Sequence, residues 1–271
     1  MYINGEIELL KEKYDKVELE SVIMRYSDEN EFLCFRLDGI KSSKRYLKDS
    51  LVNSKYGCSF SNAIYSTYYL YRNQTHPDNK NFFYCAFFAS DEVSFVLNKG
   101  CNYYDNRIFK IGTILAGTLS SAMTINFELT KASVEKSKKK NKKKKEPPSI
   151  LAFDSRPLVL KSNEAVKEYI RYRWLIACRN AACKVLRLES SLTDDELYGT
   201  TLKNDFLALM QKIEEFELFD SYKMIIDTFS LYVPNTERKL KKFKVEGSFN
   251  IDDMFFHLDE FLMAECNGNV A

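Results

Sequence analysis

Two histidines in 271 residues leave little room for imidazole chemistry. His76 lies in a polar stretch, Thr75-His76-Pro77-Asp78-Asn79, and His257 in a C-terminal amphipathic segment; neither has a second metal-ligand residue at useful spacing. Zinc sites and histidine acid–base catalysis therefore have no support, and any chemistry falls to carboxylates and a bound cation. The seven cysteines include no Cys-x-x-Cys pair, and Cys178 and Cys183 are too widely spaced for a zinc knuckle. They read as reduced, mostly buried thiols of a cytoplasmic protein. No uninterrupted apolar run reaches the roughly 20 residues of a membrane span. The start of the chain, with Asn4, Glu6 and Glu8, has neither the basic nor the apolar segment of a signal peptide.

Net charge is close to balance, at +2, but unevenly distributed. Residues 136–145 hold eight lysines; without those eight positive charges the rest of the chain stands at −6. Such a run at 132–149, closed by Pro147-Pro148, reads as a disordered loop, and a lysine tract can hold a polyphosphate backbone through counterion release.

Hydrophobic periodicity sets out the order of elements. A short amphipathic helix is expected around Glu6 to Tyr14, and a first core strand over 31–37. A tyrosine-rich helix follows over Ser59 to Tyr71. The aromatic run Phe82 to Ala89 and the apolar run Val93 to Leu97 make a hairpin around Ser90-Asp91-Glu92. Ile108, Ile111, Leu115, Leu119 and Met123 recur at helical spacing within Asp105 to Phe127. A further strand is expected over 150–160. Ser162 is a candidate N-cap of a helix reaching about Leu188, and Thr193 to Glu196 a capping box. Another helix spans Leu202 to Phe216, a last strand Met224 to Val233, and an amphipathic helix Ile251 to Ala264. The order β–α–β–β–α–β is that of a ferredoxin-like, palm-type α+β fold: an antiparallel sheet with helices on one face plus additional helices. It gives a domain over 1–233 and a C-terminal extension over 234–271.

Two carboxylates stand at strand ends in this scheme. Asp38 closes the strand Phe32 to Leu37, and Asp91 sits in the hairpin. Neighbouring strands would bring them side by side, and a divalent cation relieves the repulsion of such a pair. With oxygen ligands alone, Mg²⁺ and a polyphosphate ligand are the expected companions. Strand ends also favour Asp and Gly for turn geometry alone, so the residues themselves leave both readings open. Glu92, next in sequence, points to the opposite face of a regular strand.

Arg36-Leu37-Asp38-Gly39, Ser90-Asp91-Glu92-x-Ser94-Phe95 and Phe153-Asp154-x-Arg156, in this order, resemble the tRNA-histidine guanylyltransferase family and its 3′-to-5′ polymerase relatives. Ser162-Asn163, Tyr169-Ile170-x-x-Arg173, Leu197-x-Gly199-Thr200 and Lys203-Asn204-Asp205 extend the likeness over roughly residues 30 to 210. The resemblance implies a nucleotidyltransferase that adds a nucleotide, GTP first, to the 5′ end of tRNA or a tRNA-like RNA. It implies two Mg²⁺ ions held by Asp38, Asp91 and the Gly39 carbonyl. GTP or ATP would be bound by Lys41, Ser43, Lys44, Ser90, Glu92, Arg107 and Lys110. RNA would be gripped by Lys138, Lys139, Lys140, Lys142, Lys143, Lys144, Arg156, Arg173, Asn180 and Lys203. Family members assemble as multimers, so a dimer or tetramer is expected.

The chain departs from the family after Arg173. Gln-x-Asp-x-His-x-Asn-Asn is replaced by Trp174-Leu175-Ile176-Ala177-Cys178-Arg179-Asn180-Ala181, in which only Asn180 survives. This implies a divergent member with altered RNA or nucleotide choice. Two other readings remain: a palm-type enzyme making a cyclic or oligomeric nucleotide, and a non-catalytic RNA- or nucleotide-binding relative.

Overall fold

The computed structural model describes residues 3–23, 31–40, 42, 55–71, 82–99, 104, 107–137, 150–234 and 239–244. Lys41, Ser43, Lys44, the His76 loop, the lysine tract and the expected helix 251–264 lie outside them. Helix α1 (Ile3–Ile23) leads into β1 (Phe32–Gly39), α2 (Lys55–Tyr71), β2 (Phe83–Ala89), β3 (Glu92–Leu97), α3 (Ile108–Ser137) and β4 (Phe153–Leu160). Then come α4 (Asn163–Glu189), α5 (Asp194–Tyr198), a 3₁₀ turn (Leu202–Asn204), α6 (Phe206–Glu215), α7 (Phe219–Ile226), β5 (Ser230–Pro234) and β6 (Leu240–Lys244).

The six strands form one antiparallel sheet in the order β4-β1-β3-β2-β5-β6. Its first four strands, with α2 and α3, are the expected β–α–β–β–α–β unit. Strand β1 is buried on both faces, which is why Phe32 to Leu37 reads as an apolar run rather than an alternation. On one face Phe60 of α2 meets Phe88 and Phe153, and Gly112 lets α3 settle on Phe35, whose ring carbons an added Cβ would meet at 3.0–3.1 Å. On the other face Tyr14 of α1 packs with Tyr169 and Tyr172 of α4, and the Tyr169 hydroxyl meets Ser94 Oγ at 3.2 Å.

The capping signals are met. Ser162 Oγ accepts from the Ala165 amide, and Thr193 and Glu196 form a reciprocal capping box. Helices α1 and α3 run longer than expected, α3 starting at Ile108 and reaching Ser137. Over Ile108–Leu129, α3 is long and apolar enough to cross a membrane by composition; no such segment was evident from apolar runs, because Thr, Ser and Gly interrupt them. In this fold its Ile108, Ile111, Leu115, Leu119 and Met123 lie buried.

The expected strand over Met224 to Val233 is corrected in its first half, while its second half lies in β5. Met224 to Ile226 closes a helix, α7, in which Tyr222, Ile225 and Ile226 are buried and Met224 is exposed. A three-residue apolar run fits either period, and here the 3.6-residue one won. The sheet also continues past the expected domain boundary at 233, since β6 pairs with β5. Its Lys241 and Lys242 are exposed, a composition that blunts an edge strand.

Candidate active site

Asp38 and Asp91 lie near enough for each charge to act on the other. Strand β1 ends at Gly39, whose amide donates to the Asp91 carbonyl at 2.9 Å, tying β1 to the two-residue turn Ser90-Asp91. Ser90 holds φ 63°, a left-handed conformation that is costly for a non-glycine residue and that sharpens the turn carrying Asp91. The Ile40 amide donates to the Ala152 carbonyl at 2.8 Å, so the segment is held on its other side as well. Gly39 is needed for close approach: an added Cβ would stand 2.5 Å from Ser42 Oγ and 3.1 Å from the Asp91 carbonyl. Gly39→Ala should cost about 1–3 kcal/mol and misplace Asp38. Chemical melting and a nucleotide-binding titration check this; wild-type values in both would contradict it.

The site is crowded with negative charge. In register, Asp38 lies opposite Glu92 on β3 and opposite Asp154 on β4. Its carboxyl pKa is raised to about 6, first by burial and then by Glu92, Asp91 and Asp154, with Arg36 opposing. Asp91 is buried and accepts from Ser90 Oγ at 3.0 Å. Lys184, from α4, donates in turn to Ser90 Oγ at 3.0 Å. Asp154 receives Arg156 Nη2 on Oδ2 at 3.4 Å, while its Oδ1 is buried without a hydrogen-bond partner. The Gly39 carbonyl accepts one bond, from the Ser42 amide at 3.2 Å, which leaves its second lone pair. Among the described residues no three of His, Cys, Asp and Glu converge as a metal-holding cluster. The donors for a hard cation are thus the two aspartates and a backbone carbonyl.

The sequence profile described as tRNAHis guanylyltransferase matches residues 16–161, more than half of the chain, and spans both aspartates and Asp154. The chain belongs to this family. It is a nucleotidyltransferase related to the tRNAHis guanylyltransferases. The fold is shared with the tRNA(His) guanylyltransferase of Saccharomyces cerevisiae, at 19% identity over 84% of this chain and 94% of that one, TM-score 0.56. It is shared too with bacterial tRNA(His) guanylyltransferase-like protein solved with ATP, at 15% identity over 93% and 96%, TM-score 0.58. The structure titled as its complex with GTP gives 12% identity over 93% and 98%, TM-score 0.52. No curated protein matches the sequence.

Against the pattern of the guanylyltransferase family, the other expected residues divide. Ser90 stands beside Asp91. Glu92, opposite Asp38 in register, is engaged from α4 by Arg173, which takes both of its oxygens, Nε to Oε1 at 2.8 Å and Nη2 to Oε2. Arg36 Nε lies 3.8 Å from Glu92 Oε2, and Arg36 Nη1 pairs with Glu18 of α1. Burial opposes the charge of Arg173, and Glu92 more than offsets this, raising its pKa. Arg107 and Lys110 start α3, where Arg107 Nε donates to the Tyr104 carbonyl and Lys110 sits over the Tyr104 ring. The part of α3 that reaches β4 beside Gly39 is Ser120, whose Oγ accepts from the Phe153 amide at 3.1 Å, ten residues beyond Lys110 and about 15 Å along the axis. The structure therefore does not bring Arg107 and Lys110 to the aspartates. Arg156, Asn180 and Lys203 are exposed.

Two members of the site were not foreseen, although the family motif already contained one of them. Asp154 follows from pairing β4 with β1 in ferredoxin order. Lys184 lies in α4 between the buried residues Cys183 and Val185 and carries no local signal. The replaced family segment also has a place: Trp174 to Cys178 are buried core residues of α4.

Proposed function

We propose that the chain catalyses Mg²⁺-dependent addition of a nucleotide, GTP first, to the 5′ end of tRNA or a tRNA-like RNA in the 3′-to-5′ direction. The observation that supports this most is the Gly39–Asp91 backbone clamp, which ties the end of β1 to the β2–β3 turn, with Asp91 near enough to act on the Asp38 carboxyl. The donor set fits Mg²⁺. All three ligands are hard oxygens, and Asp38 carries repulsion that a cation would relieve. Asp38, Asp91 and the Gly39 carbonyl would hold the metal, which when bound neutralises phosphate charge and acidifies the attacking hydroxyl.

The remaining work is positional. Ser90 and Lys184 fix the Asp91 turn, and Lys184 brings a cation to the phosphate end of the site. In the reaction, the RNA 5′-phosphate first attacks the α-phosphate of a nucleoside triphosphate and releases pyrophosphate; the 3′-hydroxyl of the incoming nucleotide then loses its proton to solvent and attacks the activated 5′-phosphate, forming a phosphodiester and releasing the nucleoside monophosphate. Arg156, Asn180, Lys203 and the lysines at 138–140 and 142–144 supply cations and donors for RNA; the active form is a dimer or tetramer. The apolar replacement at 174–178 supports an RNA choice unlike that of the wider family. Incubation with Mg²⁺, labelled GTP or ATP and 5′-monophosphorylated tRNA tests the reading. Incorporation at the RNA 5′ end is expected; no transfer to any tRNA with any of the four triphosphates would overturn it, as would a cyclic or oligomeric product made without RNA.

Lys184→Met should weaken GTP binding about tenfold or more, the scale of one charge-assisted hydrogen bond, and Lys184→Arg should restore much of it. Equilibrium titration with Mg²⁺-GTP reads this directly. An unchanged dissociation constant in Lys184→Met would confine the lysine to holding the turn.

A further inference from the structure

On the side of α2 and α3 away from the sheet, large apolar side chains of the described residues stand exposed between small polar ones. Ile125 and Leu70 are 60% and 58% exposed. Between the two helices runs a groove of about 750 Å³. Thr113, Gly117, Ser121 and Ile125, one per turn of α3, line it, and an added Cβ at Gly117 would meet nothing within 4 Å. A groove this narrow, with ten lining residues described, is short of the 20–30 residues a side of a standard protein interface. It matches the footprint of a single amphipathic helix.

The chain carries such a segment. Ile251, Met254, Phe255, Leu258, Phe261 and Leu262 fall on one helical face, and Asp252, Asp253, Asp259 and Glu260 fall largely outside it. Its tether starts in the right place. Strand β6 ends at Lys244 on the α2 side of the molecule, where Lys242 Nζ lies 3.5 Å from Ser61 Oγ and the Tyr232 hydroxyl donates to the same Ser61 at 3.0 Å. The six residues 245–250 can span up to about 20 Å. A tethered segment acts at an effective concentration near the millimolar range, so a weak contact suffices, whereas a second copy would need far higher affinity at micromolar protein.

We propose that residues 251–264 form an amphipathic helix that lies in the α2–α3 groove of the same chain, with its acidic face to solvent. The C-terminal segment is then a third layer of the domain, and the apolar face of α3 is an internal surface.

The test places the photo-reactive residue p-benzoylphenylalanine at position 125 of the full chain and irradiates a mixture of ¹⁴N- and ¹⁵N-labelled protein. Cross-links from 125 to 251–264 are expected, with light–light and heavy–heavy pairs only. Mixed pairs would assign the groove to a second copy, and cross-links elsewhere, or yields no higher than from exposed position 224 on α7, would leave the segment undocked; either result overturns the proposal. Gly117→Phe, in open space, should lower the 125 yield at least fivefold while the melting curve stays cooperative. An undiminished yield would also overturn it.

Discussion

Asp38→Asn should abolish nucleotide transfer and at the same time stabilise the metal-free protein. The loss of activity should be at least a hundredfold to a thousandfold, the scale of deleting one preorganised electrostatic contact. The gain in stability follows from the raised carboxyl pKa of about 6, against an ordinary value of 3.8. A carboxyl whose folded pKa is raised favours the folded state below its unfolded pKa, and that contribution is lost as pH climbs through the folded pKa. Between about pH 4 and pH 6 the metal-free wild type should therefore lose stability through Asp38. Two pKa units correspond to roughly 3 kcal/mol, reduced by partial solvation to about 1–2 kcal/mol. The Asn variant should lack this pH dependence and melt higher at pH 7, and Mg²⁺ should stabilise the wild type more than the variant. Thermal melts across pH 4–7, with EDTA and with Mg²⁺, read all three effects. A variant that melts lower than wild type at pH 7 without metal would contradict the account of the crowded site.

Breaking the Glu92–Arg173 pair should damage the fold rather than the chemistry. Both partners are largely shielded from solvent, and Arg173 engages Glu92 through two nitrogens. Removing one partner leaves a buried charge without its counter-ion, which costs about 3–5 kcal/mol. At roughly 2–4 °C per kcal/mol for a domain of this size, Arg173→Met or Glu92→Gln should melt on the order of 10 °C lower. The double change Glu92→Leu with Arg173→Leu should recover much of that loss, because a pair of apolar groups removes both desolvation penalties. Were Glu92 a nucleotide ligand instead, Glu92→Gln would weaken GTP binding with little effect on melting. The double-variant cycle, read by calorimetry and GTP titration together, separates the two roles.

How far the sequence discloses this molecule follows from where its signals are local. The β–α–β–β–α–β order was legible because long periodic segments, such as Ile108 to Met123, carry their own geometry. The nearness of Asp38 and Asp91 was legible because that order makes β1 and β3 neighbours. The partner of Glu92 was not, since Arg173 lies 81 positions away on a helix packed across the sheet. Strand alternation turns Glu92 away from Asp91, while the β1–β3 register sets it opposite Asp38. Lys184 reaches Ser90 from between the buried residues Cys183 and Val185 of α4, so nothing in its own surroundings marks it. Asp154 was visible as a motif residue, but its proximity to Asp38 depends on the β1–β4 register. The strand expected over Met224 to Val233 holds only in its second half, as β5; at Met224 to Ile226 a short apolar run fits two periods, and packing of Tyr222, Ile225 and Ile226 decided for the helix.

The central claim is that Asp38 and Asp91 share divalent ions with a bound triphosphate. Crystals grown with Mn²⁺ and a non-hydrolysable GTP analogue, measured at the manganese absorption edge, test it most directly. Anomalous peaks within coordination distance of both aspartates and of the phosphates are the expected result. A bound nucleotide whose phosphates and metal lie away from Asp38 and Asp91 would contradict the account.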